Sequence, residues 1–180
     1  MIISREKRKE NIAEYLLYMW QIEDLIRGCE LDLDKIKNSV IDKYTLPDEE
    51  KKKMEEWYAD LIDMMRTEGC TEKGHLQINK NIIIRLAELH EELLKSPKTP
   101  QYGAAFFKTL PYIVELRKKQ GEDKVGEIET CFNFLYGILM LKLSGKEITP
   151  TTGDAVKQIS SFLAVLAALF KQYEAGTLEL

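Results

Sequence analysis

The chain has 180 residues, 44% of them hydrophobic, and 26 basic side chains set against 30 acidic ones leave a net charge of −4. That size and apolar share fit one domain around a continuous core and exclude a disordered or fibrous chain. The near balance of charge excludes the basic footprint of a nucleic-acid-binding protein. The run Arg5, Lys7, Arg8, Lys9 is diluted by Glu6 and Glu10 and reads as a solvated helix end.

Helix formers dominate, and breakers cut the chain into about seven predicted helices. The first runs from about Ser4 to Arg27, stopped by Gly28, and the second from about Asp32 to Tyr44. Pro47 and the acids Asp48, Glu49 and Glu50 then mark a helix start, because proline suits the first turn and acids suit the positive end of the dipole. That third helix ends near Glu68, before Gly69; the fourth spans about His75 to Lys95, before Ser96-Pro97. The fifth, Pro100 to Lys119, contains Pro111, which is expected to kink or divide it, and Gly121 closes it. The sixth runs from about Lys124 to Leu143 and the seventh from about Thr151 to Glu174. No segment alternates as a strand does. The expectation is a single-domain, all-α antiparallel bundle of about six to seven helices.

Circumference decides which helices lie inside. Tyr15 to Trp20 are consecutive apolar residues, and at roughly 100° per residue they cover every side of a helix. Phe134 to Leu141 do the same, with only Gly137 interrupting. Helices one and six are therefore expected at the centre.

Three isolated cysteines, Cys29, Cys70 and Cys131, form neither a disulfide framework nor a zinc spacing, and reduced thiols fit the cytoplasm. The N-terminal MIISREKRKEN lacks the apolar stretch of a secretory signal, and the longest wholly apolar run, Phe162 to Phe170, is too short to span a bilayer. A soluble cytoplasmic protein is expected, with no membrane and no nucleic acid among its partners.

Four segments carry a family resemblance: NIAEYLLYMWQIEDLIR (Asn11 to Arg27), WYADLIDMMRTEG (Trp57 to Gly69), GHLQ (Gly74 to Gln77) and LYGILMLKL (Leu135 to Leu143). Together they resemble domain-of-unknown-function family 4924, small helical proteins of Bacteroidetes-type bacteria. The resemblance implies one compact helical domain and no activity.

The motifs of chemistry are thin. Asp60-x-x-Asp63 and Glu88-x-x-Glu91 have the spacing with which helical pyrophosphatases hold Mg²⁺, but their wheel positions lie off the apolar stripes and point to water. A di-iron site needs Glu-x-x-His on two helices, and Ala87 stands three residues before His90 while Glu72 before His75 falls in a linker. No nucleophile elbow or phosphate loop is present, and no metal or cofactor is implied.

A few polar positions remain. Glu23 projects into the stripe of Ile12, Leu16, Met19, Ile22 and Ile26, where a carboxylate must be paired, and Arg27 at i+4 is the expected partner in a structural ion pair. His90 lies among Ile82, Ile83, Leu86, Leu89 and Leu93, as a satisfied core histidine or as a ligand-binding group. His75 near a helix start is a cap or loop contact, or a binding residue. Asn11, Glu14, Tyr18 and Gln21 line the other side of helix one, either under another helix or along a cleft. The leading expectation is a non-catalytic protein-interaction or homodimeric module, associating through the apolar surplus of helix seven (Ile159, Phe162, Leu163, Val165, Leu166, Leu169, Phe170). The alternative is a small-molecule-binding module or enzyme with its pocket beside helix one, lined by Glu14, Tyr18, His75 and His90.

Overall fold

A computed structural model describes residues 2–119 and 125–180, the side chains of residues 2, 3 and 5 excepted. Among the described residues the fold is all-α: α1 (Ile2–Glu10), α2 (Ile12–Gly28), α3 (Leu33–Ser39), a 3₁₀ turn at Ile41–Lys43, α4 (Asp48–Thr67), α5 (Gln77–Lys95), α6 (Pro100–Lys118), α7 (Glu127–Leu143) and α8 (Pro150–Glu174). The expected stop at Gly121 and start at Lys124 lie outside the described residues.

Capping chemistry explains the breaks. The predicted first helix is two, because the Asn11 side chain accepts a bond from the Ala13 N–H at 3.0 Å and so opens a new helix. Asp32 caps α3 through the Asp34 and Lys35 N–H groups, and Thr149 caps α8 just before Pro150. After α4 the chain turns at Gly69, φ 67°, where a left-handed residue lets the Cys70 N–H reach back to the Met65 carbonyl at 3.0 Å. Pro111 does not divide α6. It sits on the exposed side, where water can reach the carbonyl one turn back that loses its N–H donor, and the helix runs on to Lys118.

The chain forms two compact units, residues 1–9 with 14–81 and residues 10–13 with 82–180. In the first, α2 buries Tyr15, Leu16, Met19, Trp20, Ile22 and Ile26, and α4 adds Met54, Tyr58, Leu61, Ile62 and Met65. The encircled burial expected of Tyr15 to Trp20 is close to what is found, with Leu17 and Tyr18 half-buried. The second unit packs α6, α7 and α8 on one another. Here the reading of Phe134 to Leu141 is corrected. Phe134, Leu135, Tyr136, Leu139 and Met140 are half-buried and Leu141 is exposed, while α7 is most deeply buried near its start, at Ile128, Cys131 and Phe132. Helix α8 contributes much of this core. Ile159, Phe162, Leu163, Leu166 and Phe170 are all in the core. Five of the seven apolar residues that suggested an association face on this helix thus lie inside the unit, while Val165 is exposed and Leu169 half-buried. By length and composition α8 could also cross a membrane, and 33% of the apolar stretch concerned is buried.

Candidate functional site

The most elaborate polar arrangement of the first unit grows from Glu23. The α2 stripe drives this carboxylate inward until it is 0% exposed, and an unpartnered buried charge would be prohibitive. Three donors meet it. Its Oε1 accepts from the Leu76 N–H at 3.0 Å and from the Asn79 amide at 2.7 Å, and its Oε2 lies 2.6 Å from His75 Nδ1. The carboxylate accepts, so Nδ1 donates in this contact. The His75 ring lies flat on Trp20, 4.1 Å between centroids at 11°, and its side chain is 28% exposed.

These bonds seat the start of α5. A helix N-terminus leaves N–H groups without partners; Glu23 takes the one on Leu76, and Glu68 takes the one on Gln77 at 2.6 Å. Two carboxylates from other helices therefore cap α5 and match its dipole. The expected Glu23–Arg27 pair is not formed. Arg27 binds Asp24 at 2.7 Å and donates to the carbonyls of Cys70, at 3.0 Å, and Gly74. It braces the loop carrying His75, while Glu23 points inward to the groups that loop delivers. Burial, then Glu23 and Glu68, push the Cys70 thiol up, which leaves it a poor nucleophile beside this dyad.

Glu14 and Tyr18 share a different neighbour. Lys7 of α1 reaches the Glu14 carboxylate at 3.7 Å and lies 5.9 Å from the centre of the Tyr18 ring. Burial raises the Tyr18 hydroxyl above its ordinary value, helped by Tyr58 and Tyr44. On this face α1 thus meets Glu14 and Tyr18 through Lys7, while the Glu14 side chain stays 63% exposed. A cleft of about 450 Å³ does open in the first unit, elsewhere, between the turn at Glu30–Leu33 and the α4 residues Ile62, Asp63 and Arg66. Its polar groups are engaged. Asp32 caps α3, Glu30 pairs with Lys35, and Arg66 reaches Asp63 at 3.7 Å and the Leu31 carbonyl at 3.2 Å.

His90 takes its partners wholly within the second unit, where it is buried among Phe106, Phe162 and Tyr102. Its Nδ1 lies 2.6 Å from the Tyr102 hydroxyl. Burial raises the Tyr102 pKa, so the phenol keeps its proton and donates it to Nδ1. The ring hydrogen is then on Nε2, 3.5 Å from a carboxylate oxygen of Glu127, whose other oxygen lies 4.0 Å from Arg117. Burial lowers the His90 pKa and outweighs the opposing pull of Glu127. The same burial pushes the Cys131 thiol up to about 12. His90 is thus a neutral core histidine held through Nδ1, with Nε2 buried and lacking a hydrogen-bond partner among the described residues.

The four residues expected around one pocket are held by separate neighbours: Glu14 and Tyr18 by Lys7, His75 by Glu23 and Trp20, His90 by Tyr102 and Glu127. The pairs Asp60/Asp63 and Glu88/Glu91 are exposed, as their wheel positions require. Among the described residues no three histidine, cysteine or acidic side chains converge as metal ligands. Sequence reasoning missed Asn79, Tyr102 and Glu127. Asn79 had a signal, since it falls on the α5 stripe with Leu76, Ile83 and Leu86, where an amide needs a partner.

Fold and site together define, among the described residues, a small all-α protein in which a buried carboxylate seats the start of one helix. The chain belongs to the family described as domain of unknown function (DUF4924), whose profile matches residues 1–177. It is also similar to the 5'-nucleotidase SurE of Clostridium botulinum (strain Eklund 17B / Type B), 26% identical over 125 residues, which is 69% of this chain and 46% of that protein. The chain thus matches less than half the length of that relative. No solved structure matches.

Proposed function

We propose that this protein is a non-catalytic helical module that acts by associating with another protein chain. One observation carries the reading. Helix α6 exposes Phe107 at 65% and Val114 at 43% on one face, with the exposed Ala104 and Pro111 beside them. Positions 104, 107, 111 and 114 recur at helical spacing, so they form one strip. Single exposed apolar residues need no explanation, but an ordered strip over three turns marks a contact surface. The polar groups bear on this reading: Glu23 holds His75 and Asn79, and Tyr102 holds His90, while Asn79 Oδ1 and His90 Nε2 stay buried without a hydrogen-bond partner among the described residues. The three free cysteines fit a reducing compartment such as the cytoplasm.

Phosphoester hydrolysis, after the name of the clostridial relative, is the competing reading. Identity of 26% over part of that chain does not carry it, and the described residues supply no cluster of histidines, cysteines or acids to hold a metal ion.

A photo-crosslinking residue at position 107, irradiated in living cells, tests the proposal. A specific protein adduct, missing when the same residue stands at the exposed polar position 56, is the expected result. No adduct at 107 above that control would overturn the reading.

A further inference from the structure

We infer that the chain covering α6 is a second copy of this protein, paired antiparallel about the turn at Pro111. The inference rests on the proposal that the α6 strip is a contact surface and names its partner.

The charges beside the strip carry it. On a wheel of 100° per residue, Val114, Phe107, Pro111 and Ala104 fall within an arc of about 80°, and the exposed Glu115 and Lys108 follow along one edge of it. Lys108 lies toward the N-terminus and Glu115 two turns further on. A two-fold axis perpendicular to a pair of helices reverses chain direction and keeps each edge on its own side. Lys108 of one copy then comes level with Glu115 of the other, and the reverse contact repeats it. A parallel two-fold pairing would put the Lys108/Glu115 edges of the two copies on opposite sides of the seam and form neither contact.

The apolar positions agree with the same axis. The midpoint of Phe107 and Val114 and the midpoint of Lys108 and Glu115 differ by one residue, about 1.5 Å along the helix, and both fall at Pro111. One symmetry operation therefore satisfies both sets. Ala104 at one end leaves room for the aliphatic stem of Lys118, which ends the strip at the other. Glu115 already meets Lys119 at 3.2 Å, but as an exposed i,i+4 pair that contact is weak and readily exchanged. A strip about 15 Å long is short for a permanent interface, so the dimer is of micromolar strength.

Sedimentation equilibrium of the purified full chain at neutral pH and low salt, from about 1 to 200 μM, tests this, with circular dichroism confirming that each surface variant folds. The wild type is expected to dimerise and Phe107→Asp to be monomeric throughout. Lys108→Glu and Glu115→Lys should each weaken the dimer about tenfold, since each turns two attractions into two repulsions. The double exchange should restore it. A monomeric wild type, or a dimer indifferent to Phe107→Asp, would overturn the inference, and failure of the double exchange to restore affinity would overturn the antiparallel register. The in-cell crosslink separates this failure from that of the functional reading. An adduct with a different protein overturns self-pairing and keeps α6 as a contact surface; no adduct removes both.

Discussion

Glu23→Ala should destabilise the protein by about 3–5 kcal/mol. The substitution strands the Leu76 N–H and the Asn79 amide, both in residues that are 0% exposed. A hydrogen bond to a charged group is worth about 1.5–3 kcal/mol, and these two bonds alone reach that range. His75 loses its partner too, but its partly exposed ring can turn to water. Glu23→Gln separates this account from a salt bridge. With its carbonyl in place of Oε1, glutamine keeps both buried bonds, and its NH₂ can donate to Nδ1 once the imidazole takes its other tautomer. The cost should then be about 1 kcal/mol. Were an ion pair with Arg27 the stabilising contact, glutamine would lose it as alanine does. Urea denaturation of the wild type and both variants, compared at equal m-values, is the assay. Equal losses for Gln and Ala, or a loss below about 1 kcal/mol for Ala, would refute the capping argument.

Acidification should weaken the second unit through His90. Its folded pKa lies below the ordinary 6.5, so the unfolded chain takes up a proton that the folded one refuses; stability is full above about 6.5 and falls as pH drops below it. Denaturation midpoints at pH 7.5, 6 and 5 should show this slope, and His90→Gln should flatten it. Iodoacetamide at pH 8 should label the half-exposed Cys29 of the native protein while sparing Cys70 and Cys131, whose thiols are buried and raised; rapid native labelling of Cys131 on peptide mapping would contradict its burial. Tyr102→Phe should cost about 1 kcal/mol by removing the donor to His90 Nδ1, read as a lower melting temperature.

How much of this was legible depends on whether the cause was local. Helix ends at Gly28, Gly69 and Lys95 follow from breakers and caps within a few residues, and they fall within a residue or two of where the chain places them. The break at Asn11 was local as well, but an Asn between a charged helical run and the start of an apolar stripe looks like one more helical position until its side chain is seen bonded to Ala13. Circumference was a poorer guide. It succeeded for Tyr15 to Trp20 and failed for Phe134 to Leu141, because apolar residues on every side of a helix permit full burial without requiring that neighbours exist to supply it.

The site shows the same division more sharply. The burial of Glu23 was legible, since the α2 stripe leaves it no other direction, but its partner was sought along the helix at i+4, the one place a single sequence makes visible. The true partners stand 52 to 56 residues away, on the loop and first turn that open α5. Had Asn79 been read by the same rule, as an amide on the stripe of Leu76, Ile83 and Leu86, two buried polar groups on different helices would have been in view, each needing what the other offers. Buried acceptors and buried donors must be satisfied somewhere. An acid inside one apolar stripe and an amide inside another are therefore evidence that the two helices meet at those positions. The histidine just before α5 follows, because whatever holds the first turn of that helix also holds the residue that leads into it.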